Sequence, residues 1–102
     1  MAKIHKVIAI ASLAFAATAQ ASVCAEMGSL AYQIMDNRQT GVPLAGMMKI
    51  ADGAGEQSKL HKMLILEAYK QPKFQTASYR AEAIAEFSNK WERRCYEVRG
   101  VK

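Results

Sequence analysis

The chain has 102 residues, 51% of them hydrophobic, with two cysteines and a formal net charge of +5. That length holds one small domain and no more. The basic balance is carried partly by lysines at the extreme N-terminus, so by itself it does not argue for a nucleic-acid partner.

Lys3, His5 and Lys6 form a short basic start, Val7 to Ala19 is an uncharged apolar run, and Ala19-Gln20-Ala21 has the small-x-small form that a signal peptidase cuts. Residues 1–21 therefore read as a cleaved secretory signal, and 22–102 as a small helical periplasmic domain. The apolar run, about 13 to 16 residues, falls short of the roughly 20 that span a bilayer. Cleavage removes Lys3 and Lys6 and no acidic residue, which lowers the net charge from +5 to about +3.

A domain this small buries a modest fraction of its surface and benefits from a covalent staple. Cys24 and Cys95 allow one intramolecular bridge, and an exported setting favours it. Lipidation of Cys24 is disfavoured because Val23 precedes it where lipoproteins carry a small residue, and a redox-active pair would want the C-x-x-C spacing that is missing here.

From Val23 to about Gln39, Val23, Cys24, Met27, Leu30, Ala31, Ile34 and Met35 recur at helical spacing. Gly28 lies inside that helix, where glycine costs up to about 1 kcal/mol relative to alanine, so close approach by another helix is the expected reason for it. Thr40-Gly41-Val42-Pro43 is a stop: Gly41 suits a left-handed residue, Val42 can fold back, and Pro43 restarts the chain as an early helical residue. Leu44, Met47, Met48 and Ala51 mark a short second helix, ended by the corner Asp52-Gly53-Ala54-Gly55.

A third helix is predicted from Glu56 or Gln57 to about Lys70. Leu60, Met63, Leu64 and Ala68 should face inward, with Ile65, Leu66 and Tyr69 widening the apolar arc. Gln71-Pro72-Lys73-Phe74 breaks the run; Thr76 or Ser78 can cap a fourth helix, with Phe74 packing back before the cap. In that fourth helix Ala83, Ile84, Phe87, Trp91, Cys95 and Val98 form one stripe. Glu86 with Lys90 and Arg93 with Glu97 are opposite charges at i, i+4 spacing. The fold class is thus all-α: four helices, one of them short, with helices one and four antiparallel if Cys24 meets Cys95.

Groups that carry chemistry are sparse. His61 is the one histidine after the signal and has Lys59 and Lys62 beside it, a solvated helix face rather than a general base. No H-x-x-x-H, C-x-x-C or EF-hand spacing is present, so no metal or cofactor is expected. Glu82 and Glu86 could share a proton, but exposed like charges are the commoner explanation for such a pair. No Gly-x-Ser-x-Gly elbow or phosphate-cradling loop occurs, and an enzyme is disfavoured. Lys90, Arg93, Arg94, Arg99 and Lys102 suit the C-terminal end of a helix dipole. Export argues against nucleic acid and leaves weak attraction to anionic lipid or to an acidic protein surface.

Cys24 to Met48 reads C-x-x-x-G-x-L-A-x-x-I-M-x-x-R-Q-x-G-V-P-L-x-x-M-M, followed later by Glu67-Ala68-Tyr69 and by Trp91-x-x-x-Cys95. This pattern resembles a group of small exported, prophage-associated bacterial proteins, and the resemblance implies export without implying an activity. Arg38 and Gln39 are its polar residues least explained by packing: they cap neighbouring carbonyls or contact a partner. Met47 and Met48 suit either a core or an adaptable contact surface. The function expected from these features is the binding of another protein, as an inhibitor, immunity or phage exclusion factor does, with Arg38, Gln39, Met47 and Met48 as contacts. A periplasmic stress chaperone and an enzyme acting on envelope polymers through His61, Glu82 or Glu86 are the alternatives.

Overall fold

The structure, a computed structural model, describes residues 22–100. The signal segment expected over 1–21 lies outside them. Within the described residues the chain forms α1 (residues 22–40), α2 (Leu44–Asp52), a 3-10 turn (Gly55–Gln57), α3 (Ser58–Tyr69) and α4 (Ala77–Arg99). This is the expected all-α arrangement of four helices with one short member.

Each helix stops where its local chemistry says it should. Past α1, Gly41 takes a φ of 95°, the Val42 N–H reaches the Asn37 carbonyl at 3.0 Å and the Gly41 N–H reaches Arg38 at 3.2 Å, a left-handed glycine closure. Pro43 sits one position earlier than expected, as the extended residue before α2 rather than inside it. Of the two corner glycines after α2, only Gly55 uses a positive φ, at 63°, while Gly53 keeps a φ that any residue adopts. Asp52 at the end of α2 pairs with Lys62 of α3 at 2.6 Å. Thr76 caps α4, its hydroxyl accepting from the Tyr79 N–H at 3.3 Å.

All four helices supply the core: Ala31, Ile34 and Met35 from α1, Met47 and Ala51 from α2, Leu64, Ile65 and Ala68 from α3, and Ile84 and Phe87 from α4. Three contacts along the length of α1 set it antiparallel to α4. At one end Cys24 and Cys95 form a disulfide with Cα atoms 5.4 Å apart. Further along, the Ser88 hydroxyl donates to the Gly28 carbonyl at 2.7 Å. At the far end Gln39 meets Phe74, just before α4. Gly28 is where the helices approach closely: a Cβ there would lie 3.1 Å from the Glu92 Cβ and 2.5 Å from its Oε1.

Two inward faces differ from the sequence pattern. On α3 the buried residues are Leu64, Ile65 and Ala68, while Met63 is 41% exposed, so the buried face is turned toward the Ile65 flank of the arc. On α4 the stripe ends early, with Val98 exposed one turn beyond the disulfide that anchors the helix to α1.

Candidate functional site

The Arg-Gln-x-Gly-Val-Pro run and Tyr69 fold into one latch between the end of α1, the start of α2 and the loop after α3. The Arg38 guanidinium lies 5.0 Å from the centroid of the Tyr69 ring and donates from Nε and a terminal nitrogen to the Gln71 carbonyl at 3.2 and 3.1 Å. Gln39 donates to the Pro72 carbonyl at 2.8 Å and accepts the Phe74 N–H at 2.8 Å, with a longer contact to the Met35 sulfur. The Tyr69 hydroxyl donates to the Val42 carbonyl. Burial raises the Tyr69 pKa above the usual phenol value, and the charge of Arg38 opposes that rise.

The latch decides what the four proposed contact residues can do. Gln39 is 1% exposed and Met47 is 3% exposed, both turned into the fold. Asn37 even spends a donor on the Met47 sulfur, at 3.6 Å. Neither side chain offers surface to a partner while the fold holds. Arg38 and Met48 are half-buried, the first occupied by Gln71 and Tyr69, the second packed on the core. The carbonyl-capping alternative for Arg38 and Gln39 is the arrangement observed, although the carbonyls belong to the loop before α4 rather than to α1 itself.

Folding the 71–76 loop back onto α1 opens a groove beside α4 with a volume of about 290 Å³. Its apolar lining comes from three parts of the chain: Met35 of α1, Phe74 of the loop, and Ala83 and Phe87 of α4. Gln71 and Tyr79 also line it, and Glu82, Glu86 and Lys90 bring charge to the α4 side. The position of Phe74 depends on Gln39, which holds its N–H, and on Arg80, which donates to the Phe74 carbonyl at 2.9 Å.

The expected Glu86–Lys90 pair does not close within ion-pair distance, whereas Arg93 and Glu97 do pair, at 2.6 Å. Lys90 instead places its ammonium 5.3 Å from the Trp91 ring centroid. A hydrogen bond from Lys70 holds the Glu67 carboxyl below its usual range; burial opposes this, and the charges of Lys70 and then Lys90 add to it. Trp91 packs edge-on against Phe87 with centroids 6.2 Å apart. Its indole N–H is buried without a partner among the described residues.

Glu82 and Glu86 thus line the groove, and His61 is not among the residues that line it. No group of three or more His, Cys, Asp or Glu among the described residues is placed to hold a metal ion, and no described helix is long and apolar enough to cross a membrane. The groove was not visible in the sequence because its floor joins residues from α1, the loop and α4 with no common period. The single local hint was Phe74 before the α4 cap. No protein-family model matches the chain, and neither a curated protein nor a solved structure is significantly similar to it.

Proposed function

We propose that this chain is an exported periplasmic protein that acts by binding another protein, and that it takes a segment of that partner in the groove along α4. The observation that carries this reading is the groove itself, an apolar floor edged by charge on a scaffold closed by a disulfide. Its volume suits one or two side chains, and is at or below the low end of the roughly 300 to 1,000 Å³ typical of sites that enclose a small molecule. An anchor residue flanked by polar contacts is how small protein interfaces concentrate their affinity.

A hydrolytic reading has one observation in its favour, the two carboxylates Glu82 and Glu86 beside a pocket. Both project from one helix, a turn apart, whereas the paired carboxylates of glycoside hydrolysis flank the bond they cleave. Binding therefore accounts for the arrangement better than catalysis does.

The test is affinity capture from periplasmic extract, using the oxidised protein recovered from the periplasm and its Ala83→Trp variant, which fills the groove from α4. A stoichiometric partner that the wild type retains and the variant loses is the expected result. Absence of such a partner, or equal capture by both, would reject the reading.

A further inference from the structure

The charge around the groove is unbalanced in a way that selects its occupant. Three ion pairs occur among the described residues, Lys62–Asp52, Lys70–Glu67 and Arg93–Glu97, and none involves Glu82 or Glu86. Both carboxylates are exposed on α4, about 6 Å apart along the helix axis at four residues' spacing. Lys90, the cation that could neutralise Glu86, is drawn onto the Trp91 ring, 5.3 Å from its centroid. The groove therefore presents the half-buried Phe74 and Ala83 above the buried Met35 and Phe87, and along its α4 side two carboxylates outside any of those ion pairs against one ammonium, that of Lys90.

Resting on the partner-binding reading, we propose that the α4 groove recognises a polypeptide segment in which a lysine or arginine lies close to a bulky apolar residue. The apolar side chain packs against Phe74 and Ala83, and the cation bridges Glu82 and Glu86. Charge complementarity of this kind sets specificity and orientation, while the apolar anchor supplies most of the affinity. Phosphate-bearing partners, whether nucleic acid or anionic lipid, meet two carboxylates against one ammonium at the same edge and are disfavoured there. The occupant is thus a basic protein segment, not a membrane surface.

Two fluorescently labelled peptides of about 12 residues test this, one of leucine and lysine, the other with every lysine replaced by glutamate, long enough for an amphipathic helix to lay one face in a groove. Binding is read by anisotropy and by the emission of Trp91, the single tryptophan of the chain. The expected result is saturable binding of the leucine/lysine peptide, weakened about tenfold or more by Glu82→Gln with Glu86→Gln. The control pair Glu26→Gln with Glu56→Gln makes the same change in net charge at exposed positions away from the groove, and should bind as wild type does. All four are exposed surface positions, and circular dichroism checks that each variant keeps its helices. The proposal is overturned if the leucine/lysine peptide does not saturate, if the leucine/glutamate peptide binds equally, or if the control pair weakens binding as much as the groove pair. In any of those cases, capture of a natural partner that Ala83→Trp abolishes leaves the broader binding reading standing. Failure of that capture beside intact peptide selectivity sinks the broader reading alone.

Discussion

The side-chain oxygen of Gln39 accepts the backbone N–H of Phe74 at 2.8 Å while its amide nitrogen donates to the carbonyl of Pro72 at 2.8 Å, so one buried residue of α1 satisfies two backbone groups of a loop thirty-odd residues away. Leaving a buried backbone donor or acceptor unpaired costs about 1 to 3 kcal/mol. Gln39→Ala should lower stability by about 3 kcal/mol and free the loop that carries Phe74. Gln39→Glu is more discriminating. It keeps an acceptor for Phe74 but sets an anionic oxygen against the Pro72 carbonyl, so its carboxyl is held above the ordinary glutamate range. Its deficit relative to wild type should be full near neutral pH and shrink as the pH falls through that raised value, where the protonated acid can donate. Urea titrations at several pH values check both; a Gln39→Ala variant as stable as wild type would remove the latch from the account.

Tyr69 makes the second long-range tie of the latch, and it gives the fold an alkaline limit. Burial raises its pKa in the folded state, the charge of Arg38 opposing, and its hydroxyl donates to Val42. A phenol whose folded pKa exceeds its unfolded one stabilises fully below the unfolded value, about 10, and that contribution fades as pH rises through the higher folded value. Wild-type stability should therefore fall above pH of about 10. Tyr69→Phe should be less stable by about 1 kcal/mol at neutral pH and should show a shallower alkaline fall. The pH dependence of the urea midpoint distinguishes this from simple loss of packing, which would shift the curve without changing its slope.

The helices and their ends were legible in the sequence because both are local properties: apolar residues three and four apart, a capping threonine at Thr76, and a glycine at Gly41 that takes a positive φ. Direction within a wide apolar arc was not. Periodicity grouped Met63 with Leu64 and placed Ile65 at the flank, but Ile65 is buried and Met63 exposed, while the Asp52–Lys62 pair ties α2 to α3. The same ambiguity covered Met47, whose short helix could have been buried or displayed; Met47 is buried in the core, and Ile50 is the most exposed large apolar residue of α2. Val98 continues the α4 stripe in sequence, but Cys24 near the described start of α1 already faces Cys95, so the last turn of α4 runs past the part of its neighbour that is described. The groove depended on where the 71–76 loop lands, which side-chain hydrogen bonds from Gln39, Arg38 and Arg80 fix and no periodicity encodes.

Gly28 sets a steric test of the α1–α4 crossing. On helix propensity alone Gly28→Ala should stabilise by about 1 kcal/mol. A Cβ there meets the Glu92 carboxylate, which can swing away, and also the Glu92 Cβ at 3.1 Å, which moves only with α4. The Ser88–Gly28 hydrogen bond and the disulfide hold that helix in place. Overpacking should therefore prevail, with a net loss of about 1 to 2 kcal/mol in a denaturation experiment. Adding Glu92→Ala should recover only part of it, because the Cβ contact remains. A stabilised Gly28→Ala variant would mean that the helices are free to slide.

The disulfide acts mainly on the unfolded chain. It joins residues 71 apart, and closing a loop of that length removes conformational entropy worth about 4 kcal/mol in the chain-entropy model. In the folded state α1 and α4 are already tied by Ser88 to Gly28 and by Gln39 to the loop before α4, so the reduced protein should keep the contacts that orient them. Cys24→Ser with Cys95→Ser should consequently retain helical content at low temperature yet unfold at a midpoint well below wild type, by at least ten degrees for a domain of about 80 residues. Dithiothreitol should lower the wild-type midpoint to the same value and leave the double variant unmoved. Because Gln39 positions Phe74 at the opposite end from the bridge, the reduced protein below its midpoint should still bind through the α4 groove. A reduced protein that stays helical but loses groove binding would place control of the site in the disulfide rather than in the latch.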